Sequence, residues 1–305
     1  MRQLSAGILL SSARYRASML PTRAIRRYRE YSWKSYSGHP VLMATGASLS
    51  LNPECAYSRS LFLRRQSEIA EARFISSSIA KGSTAIDGGA NVGYFTTLLS
   101  DVVGREGRVL AFEPDPRPFR YLEKNIAFNG CRNVHAYPFA ISDKKGSETI
   151  YLSGNHTGDT RLYEPEIDRP DEPGRRNSLE IEAVALDEFT DCITNVPQVL
   201  IKFDLQGYEV KALRGATNFI QACNQLIILT EYWPNGLLQA GASPEEFWAY
   251  CQESNLLVNR LSDGSVTHVN LDEFGEITVR LIATGLTMHT SLILMNREAT
   301  SNYRS

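Results

Sequence analysis

A glycine turn next to acidic side chains is the stretch of this 305-residue chain best suited to chemistry. Residues 85–95 read Ala-Ile-Asp-Gly-Gly-Ala-Asn-Val-Gly-Tyr-Phe, and Glu113 follows 20 residues after Gly93. Glycines allow positive φ and let a ligand approach the backbone where a Cβ would block it. N–H groups at a helix start then point at that ligand. The pattern predicts a short buried strand, a tight turn and a helix start that together hold a ligand.

The type of ligand follows from the charges around the turn. Gly88-x-Ala90-x-x-Gly93 nearly matches the dinucleotide fingerprint, with Glu113 placed to hold a ribose. However, a carboxylate from Asp87 at the mouth of the turn would repel a pyrophosphate. It would suit an ammonium and a sulfonium, which S-adenosylmethionine carries together with a ribose. We therefore prefer a methyl donor to a nicotinamide nucleotide, and a strand-turn-helix without a ligand is the remaining alternative.

Composition sets broad limits on the protein class. Hydrophobic residues make up 43% and charged residues 22%, as in an ordinary globular protein of one large or two small domains. The net charge of −2 gives no field that favours nucleic acid. The 5 cysteines and 5 histidines show no metal spacing and no disulfide framework, which predicts no metal site and a reducing compartment, the cytoplasm. No apolar run reaches the roughly 18 residues of a membrane helix.

The N-terminal region differs from the rest, because seven arginines precede the first acidic residue, Glu30. We interpret residues 1–60 as a basic arm or extension and residues 61–305 as the main domain. Its arginine- and serine-containing, acid-free start also fits an organellar transit peptide or a basic arm on an anionic surface. A solvated, partly helical extension is the interpretation that we favour over a targeting role.

Strands and helices alternate after residue 83. This pattern predicts an α/β fold with a mainly parallel sheet covered by helices on both faces. Ligands in such folds bind beyond the carboxyl ends of the strands. A helix is expected over residues 61–80, and Leu256–Leu261 with Ser291–Met295 would form an antiparallel pair, whereas residues 262–290 are not interpretable. Strands are predicted at residues 84–87, 108–112, 134–140, 199–204 and 226–230, with helices at 93–103, 116–129 and 244–254.

Residues 143–185 interrupt the alternation. Ser147–Leu152 and Leu179–Ala185 resemble strands, and the tract between them is rich in proline, glycine and charge. A loop of this length is usually a lid, a binding loop or a disordered insertion. We expect a hairpin-like excursion above the ligand side, with a solvated surface loop as the alternative.

Several short motifs coincide in order along the chain, and together they resemble the FkbM family of S-adenosylmethionine-dependent methyltransferases. The resemblance covers about residues 83–231, with Gln206 where a common variant has Glu. The motifs are Asp87-x-Gly89-x-Asn91-x-Gly93-Tyr94-Phe95, Phe112-Glu113-Pro114-Asp115, Asn125-Ile126-x-x-Asn129, Ala140-Ile141-Ser142-Asp143, Leu186-Asp187-Glu188, Leu200-Ile201-Lys202-Phe203-Asp204-Leu205-Gln206-Gly207-Tyr208-Glu209 and Leu213-Arg214-Gly215-Ala216.

This resemblance implies a Rossmann-like class I methyltransferase fold with a seven-stranded sheet whose last strand is antiparallel. It also implies methyl transfer to a hydroxyl of a small molecule such as a sugar or a polyketide. Glu113 would hold the ribose, and Asp204 would face the reaction centre. By the same resemblance, Asp87, Gly89, Asn91 and Gly93 would line the methionine end of the donor, and Ala140, Ile141 and Ser142 would edge the adenine.

A hydroxyl acceptor benefits from a general base, and acids at the strand ends are the candidates. Asp204 is the first choice and Glu231 the second, although Asp204 could also be a cofactor contact without proton transfer. Glu209 is favoured as a helix-start acid or a partner of Lys202, a lysine inside an otherwise apolar strand. His156 is a weaker candidate. An NAD-dependent oxidoreductase and a non-catalytic binding protein of the same fold remain the alternative functions.

Overall fold

The computed structural model describes residues 22–154, 156–165, 176–263, 265–285 and 287–301. The helices are α1 Thr22–Trp33, α2 Ala56–Arg64, α3 Ile69–Ser78, α4 Tyr94–Val103, α5 Pro116–Asn129, α6 Glu209–Arg214, α7 Thr217–Ala222, α8 Pro234–Gln239, α9 Pro244–Glu253, α10 Leu271–Thr284 and α11 Arg297–Ser301. The strands are β1 Val41–Leu42, β2 Ser48–Leu49, β3 Thr84–Gly88, β4 Arg108–Phe112, β5 Val134–Tyr137, β6 Ala140–Ile141, β7 Gly146–Leu152, β8 Asn177–Val184, β9 Val199–Phe203, β10 Leu226–Tyr232, β11 Leu257–Ser262, β12 Ser265–His268 and β13 Thr290–Met295. Two 3₁₀ helices span Thr157–Asp159 and Leu186–Ile193.

The central sheet has the strand order β12-β11-β13-β10-β9-β3-β4-β5. The five strands from β10 to β5 are parallel, and β13 pairs antiparallel with both β10 and β11. The predicted α/β class, parallel core and antiparallel last strand are therefore confirmed. An eighth strand, β12, forms the edge of the sheet and pairs antiparallel with β11. It lies within residues 262–290, which the sequence left without an interpretation.

Strand β3 marks the point where the chain order reverses. The chain runs from β3 through β4 to β5 on one side, and β9 then pairs with β3 on the other side. Loops leaving the carboxyl ends of β3 and β9 consequently diverge and open a crevice between them. The glycine turn after β3 and Asp204 after β9 meet at this crevice.

Alternate residues of the parallel strands pack into two separate cores, one on each face of the sheet. Ile86 and Ile201 belong to the core that α6, α7, α9 and α10 cover, whereas Ala85 and Leu200 belong to the core under α3 and α4. The period-two pattern of a strand produces this division, since successive side chains point to opposite faces. Helices on both faces are thereby confirmed. None of the helices in the described ranges is long and apolar enough to cross a bilayer.

The expected helix over residues 61–80 is wrong, because it is two helices separated by a break. Arg65 has φ of 63° and Glu68 has φ of 39°, which are left-handed conformations uncommon for such residues. The apolar periodicity continues through the break, which is why the sequence showed a single helix. The break turns α3 toward the sheet and brings Glu68 to the crevice.

Part of the proposed N-terminal arm belongs to the folded core. Tyr36, Met43, Leu49 and Leu51 are buried in the same apolar cluster as the central strands. Residues before position 61 therefore contribute to this core, and the division at residue 61 stays a prediction. Residues 1–21, with three of the seven arginines, lie outside the described residues.

The predicted strand at residues 134–140 is divided, because β5 ends at Tyr137 and β6 joins another sheet. This second sheet has the order β6-β8-β7, and β7 pairs antiparallel with β8. The hairpin-like excursion predicted for residues 143–185 is confirmed. It is built on the carboxyl side of the central sheet, directly above the crevice.

Two asparagines explain the spacing of the Asn125-x-x-x-Asn129 motif. The Asn125 amide accepts from Ser50 N–H at 2.7 Å and donates to Ser50 C=O at 3.0 Å and Val92 C=O at 2.8 Å. Asn129 repeats the pattern with Ser48 N–H and C=O, both at 2.9 Å. Four residues of helix rise about 6 Å and two residues of strand about 6.6 Å, so α5 acts as the hydrogen-bonding partner of the edge strand β2.

Replacement of Asn125 by alanine should destabilise the fold. It would leave three buried backbone groups without partners, and we expect the free energy of unfolding to fall by about 2–4 kcal/mol. The measurement is urea unfolding followed by circular dichroism. Asn129→Ala is the matched control and should cost less, because its half-buried partners can bind water. Equal or negligible losses for the two variants would contradict this role.

Candidate functional site

A cavity of about 230 Å³ lies at the carboxyl ends of the parallel strands, under the segment 156–162. Of the predicted site residues, seven line this cavity: Gly89, Asn91, Glu113, Ala140, Ile141, Asp204 and Glu231. Sequence motifs up to about 140 residues apart thus converge on one space. The convergence follows from the parallel topology, which places the ends of β3, β4, β9 and β10 at one edge.

Three predicted residues lie behind the cavity wall. Gly93 begins α4 with φ of 88°, and a Cβ there would come within 2.9 Å of Leu122 Cδ1. Ser142 is buried and donates to Glu148 Oε1 at 3.1 Å. Asp87 is also buried, and its Oδ2 accepts from Thr96 Oγ1 at 2.5 Å. These three residues support the residues that line the cavity. The expectation that Asp87 faces the ligand directly therefore needs correction.

Gly89 brings the two halves of the crevice into contact. Its φ is 80°, and a Cβ would overlap the carbonyl oxygen of Asp204. The Asp204 N–H donates to Gly88 C=O at 3.1 Å, which extends the pairing of β3 and β9 by one step. Only glycine permits this approach, so the turn is required by the sheet junction as well as by a ligand.

Glu113 occupies the position expected for a ribose-binding acid. Its Oε2 accepts from Asn91 N–H at 2.8 Å, and its Oε1 accepts from Asp115 N–H at 2.9 Å. These bonds fix the carboxylate at the end of β4, facing the cavity. Burial, followed by the charge of Asp115, raises the pKa of Glu113 to about 8 against an ordinary value of 4.5.

Lys202 is a buried cation among the acids of the crevice. Its Nζ lies 3.7 Å from Asp204 Oδ2, 3.8 Å from Glu68 Oε2 and 4.5 Å from the centroid of the Phe95 ring. Asp87 is its register partner on β3. Burial alone would lower the pKa of Lys202, but Glu68, Asp204 and Asp87 reverse that effect and raise it. Asp204 at the end of the same strand is therefore one partner of Lys202, and Glu68 is a second partner that the sequence did not indicate.

Asp87 lies next to the Lys202 cation on the neighbouring strand, behind the cavity wall. Burial raises the pKa of Asp87, and Lys202 and Thr96 oppose the increase. Its Oδ1 has no hydrogen-bond partner among the described residues. The charge that the sequence attributed to Asp87 at the ligand is instead supplied by the carboxylates that line the cavity.

The side-chain amide of Gln206 joins the two candidate catalytic acids. Its Nε2 donates to Asp204 Oδ1 at 2.7 Å and to Glu231 Oε2 at 3.3 Å. Burial raises the pKa of Glu231 well above its ordinary value, and the charges of Asp204 and Glu209 add to this effect. A glutamate at position 206 would bring a third negative charge here, so glutamine suits this particular cluster.

Glu209 is structural in this arrangement. It is buried at the start of α6, and its Oε1 accepts from Leu205 N–H at 2.9 Å. Burial raises its pKa to about 7. These contacts agree with the interpretation of Glu209 as a helix-start acid. Glu209 is not a partner of Lys202, whose partners are Asp204 and Glu68.

The insertion forms the roof of the cavity and is anchored at two places. Asp159 in the roof is buried between Arg161 and Arg176, with Oδ1 2.9 Å from Arg161 Nη2 and Oδ2 2.7 Å from Arg176 Nη2. Thr160 Oγ1 donates to Asp115 Oδ2 at 2.9 Å, which ties the roof to the end of β4. His156 lines the cavity from this segment.

The wall next to Glu113 is apolar. Phe139, Ala140, Ile141 and Ile150 line it between β4 and the insertion. A flat apolar ring beside the Glu113 carboxylate would pack against this wall. Of the three residues predicted to edge the adenine, Ala140 and Ile141 line the cavity and Ser142 does not.

The sequence did not identify several residues that line the cavity. Tyr57 comes from the supposed arm, and Glu68 from the middle of the helix expected over residues 61–80. Trp233 follows β10, and His289 precedes β13. A polar residue flanking a strand end was the available signal for Trp233 and His289. No local signal marks Tyr57 or Glu68, because only packing of α2 and α3 against α4 and the sheet brings them here.

A family model and two curated relatives match this chain, and all three are methyltransferases. The family model described as the Methyltransferase FkbM domain matches residues 87–255. Methyltransferase 1 of Beauveria bassiana is 23% identical over 145 residues, which are 44% of this chain and 58% of that protein. The hexuronic acid methyltransferase AglP of Haloferax volcanii is 24% identical over 187 residues, or 61% of this chain and 66% of that protein. The chain thus spans roughly three fifths of the length of these curated relatives.

Two solved methyltransferase structures are also similar to this chain. The methyltransferase FkbM of Methylobacillus flagellatus has a TM-score of 0.41 and 15% identity, covering 78% of this chain and 52% of that chain. A SAM-dependent methyltransferase of Aquifex aeolicus has a TM-score of 0.39 and 12% identity, covering 74% and 88%. The family model alone spans more than half of the chain, from the first acid of the glycine turn to the end of α9. This protein therefore belongs to the FkbM family of methyltransferases.

Proposed function

We propose that this protein is an S-adenosylmethionine-dependent methyltransferase that methylates a hydroxyl group of a small molecule. The observation that supports this most is the set of acids at the crevice. Carboxyl groups of Glu68, Glu113, Asp204 and Glu231 all line the cavity, and the buried Lys202 pairs with two of them. The pKa values of Glu113 and Glu231 are raised in the absence of a ligand, so a cation bound beside them would favour their ionised forms. Such a surface favours a cationic ligand and disfavours the pyrophosphate of a nicotinamide nucleotide.

The residues present fit the proposed donor. Glu113 would accept hydrogen bonds from the ribose hydroxyls, and the apolar wall of Ala140 and Ile141 would cover the adenine. Gly89 and Asn91 would lie along the methionine end, with Asp204 nearest to the reacting carbon. When bound, S-adenosylmethionine supplies a methyl group that is already activated by its sulfonium.

The protein's own contribution is alignment and exclusion of water. An in-line transfer requires the acceptor oxygen to be held about 3–3.5 Å from the methyl carbon. The anchored roof closes the cavity above the strand ends, and the bridge from Asp204 through Gln206 to Glu231 keeps the acceptor side rigid. Asp204 and Glu231 are the predicted catalytic acids, and their position next to Gln206 supports that proposal.

A carbohydrate is the acceptor class that we favour over a polyketide. One relative, AglP, is named a hexuronic acid methyltransferase. In the present chain, Trp233 and Arg161 line the cavity together, with the guanidinium 4.9 Å from the ring centroid. Aromatic and polar groups of this kind can accommodate a sugar ring and its hydroxyls.

Replacement of Glu113 by alanine should weaken donor binding. The loss of hydrogen bonds to a charged acceptor predicts a roughly 10- to 100-fold higher Kd for S-adenosylmethionine in isothermal titration calorimetry. Glu123→Ala, an exposed change on α5, is the control and should bind like the wild type. Unchanged affinity in Glu113→Ala would remove Glu113 from the donor site.

The raised pKa of Glu113 also predicts a pH dependence of stability without the donor. Its pKa rises from 4.5 to about 8 on folding, so between these values the folded state binds more protons. This contribution is complete below about pH 4.5 and is lost as pH rises through 8. Glu113→Gln removes this contribution. The unfolding free energy of the variant, relative to that of the wild type, should therefore increase by at least about 1 kcal/mol between about pH 5 and about pH 8. Parallel stability curves in urea unfolding would refute this.

Asp204→Asn should affect turnover more than donor binding, because it removes the charge that Lys202 and Gln206 orient at the reaction centre. We expect transfer of labelled methyl groups to a small-molecule extract of the source cells to fall by about 10-fold or more. The Kd for S-adenosylmethionine should change by less than about threefold. Asp101→Asn, exposed on α4, serves as the control. Similar losses in transfer and affinity would identify Asp204 as a donor-binding residue only.

A further inference from the structure

His289 is a cavity residue to which no role has yet been assigned. It lies between α10 and β13, and its side chain is 53% exposed at the cavity. Its Nε2 is 3.2 Å from Glu231 Oε1. Strand pairing fixes the relative positions, since Glu231 on β10 is opposite Ser291 on β13. Pairing with β10 begins at Thr290, one residue after His289, so the sheet positions the backbone directly beside this contact.

Glu231 is held so that one oxygen is left for the imidazole. Its Oε2 accepts from the Gln206 amide at 3.3 Å, and its Oε1 is the atom that faces His289. In its ionised form Glu231 accepts from Nε2–H and selects the tautomer in which Nδ1 carries no proton. Nδ1 is then an acceptor at the edge of the cavity.

Asp204 is less suited to remove a proton. Its Oδ1 accepts from Gln206 at 2.7 Å, and its Oδ2 lies 3.7 Å from the ammonium of Lys202. Both carboxylate oxygens therefore already have a partner. Glu68 shares the same ammonium, so the acids near Lys202 are largely occupied with balancing it.

We propose, on the basis of the methyltransferase function proposed above, that His289 is the general base and Glu231 is its positioning residue. The acceptor O–H bond breaks and its proton moves to Nδ1 of His289. The electron pair stays on the acceptor oxygen, which forms the new bond to the methyl carbon. The electron pair of the former carbon–sulfur bond leaves with sulfur, so atoms and charge balance. Glu231 stabilises the imidazolium that results, as a carboxylate does in other acid–base dyads.

The first test uses nuclear magnetic resonance and does not depend on activity. Protein labelled with ¹⁵N-histidine, without donor or acceptor, should show His289 as the Nε2–H tautomer at about pH 8. His289→Asn identifies the signal by its loss. Glu231→Gln should reduce the tautomer preference, because a neutral amide accepts from Nε2–H less strongly. A predominant Nδ1–H tautomer in the wild type would overturn the proposal.

The second test measures labelled methyl transfer to the small-molecule extract of the source cells. His289→Ala should lower kcat by about 100-fold or more, in the range that general bases contribute. The Kd for S-adenosylmethionine should stay within about twofold of the wild type, and free imidazole should restore part of the rate because the site is half exposed. His135→Ala, exposed on β5, is the matched control.

The outcomes separate this inference from the proposed function. Transfer that persists in His289→Ala at more than half of the wild-type rate would overturn the base assignment and leave the methyltransferase proposal intact. An absence of transfer by the wild type to any extract component would contradict both. A rate loss that free imidazole cannot restore, together with weaker donor binding, would show a structural role for His289 and overturn its role as base.

Discussion

The buried ammonium of Lys202 is the constraint on which the site depends. It lies in β9, an interior strand of the central sheet, where an unpaired cation would be very costly. Asp87 on the neighbouring strand, Asp204 at the end of its own strand and Glu68 at the break between α2 and α3 compensate it together. Each acid comes from a different element, so neutralising one lysine brings three parts of the chain to the crevice. The left-handed backbone of Glu68 is the strain that this arrangement requires.

The reversal of strand order explains why this charge cluster can also be a ligand site. Divergence of the chain at β3 opens the crevice, and the contact of Gly89 with Asp204 keeps its two sides at a fixed distance. The insertion then covers the opening with Asp159 anchored by two arginines. A rigid floor, a fixed width and an anchored roof give a cavity in which few groups need to reorganise when a ligand binds, as efficient group transfer requires.

Residues at strand ends were predictable because their role depends on local order along the chain. Glu113 follows an apolar strand and precedes a proline-started helix, and the structure places its carboxylate at the cavity wall. Asp204 and Glu231 were predictable for the same reason. Asp87 was predicted at the right strand but with the wrong contact, because its side chain direction depends on Lys202 and Thr96. Burial of Tyr36 was not predicted either, because it depends on packing against residues such as Leu51 and Phe62 that no local pattern connects to it.

The sequence by itself determined the α/β class, the parallel core, the acids at the strand ends and the family, because these follow from periodicity and from short motifs of fixed spacing. Only the tertiary structure decided which acids share a cavity, that Gln206 joins Asp204 to Glu231, and that Glu68 and His289 reach the same space. Periodicity specifies which face of an element is apolar but not how helices from distant parts of the chain turn and pack. The electrostatics of the site arise from that packing, because the distances between charges exist only in the folded chain.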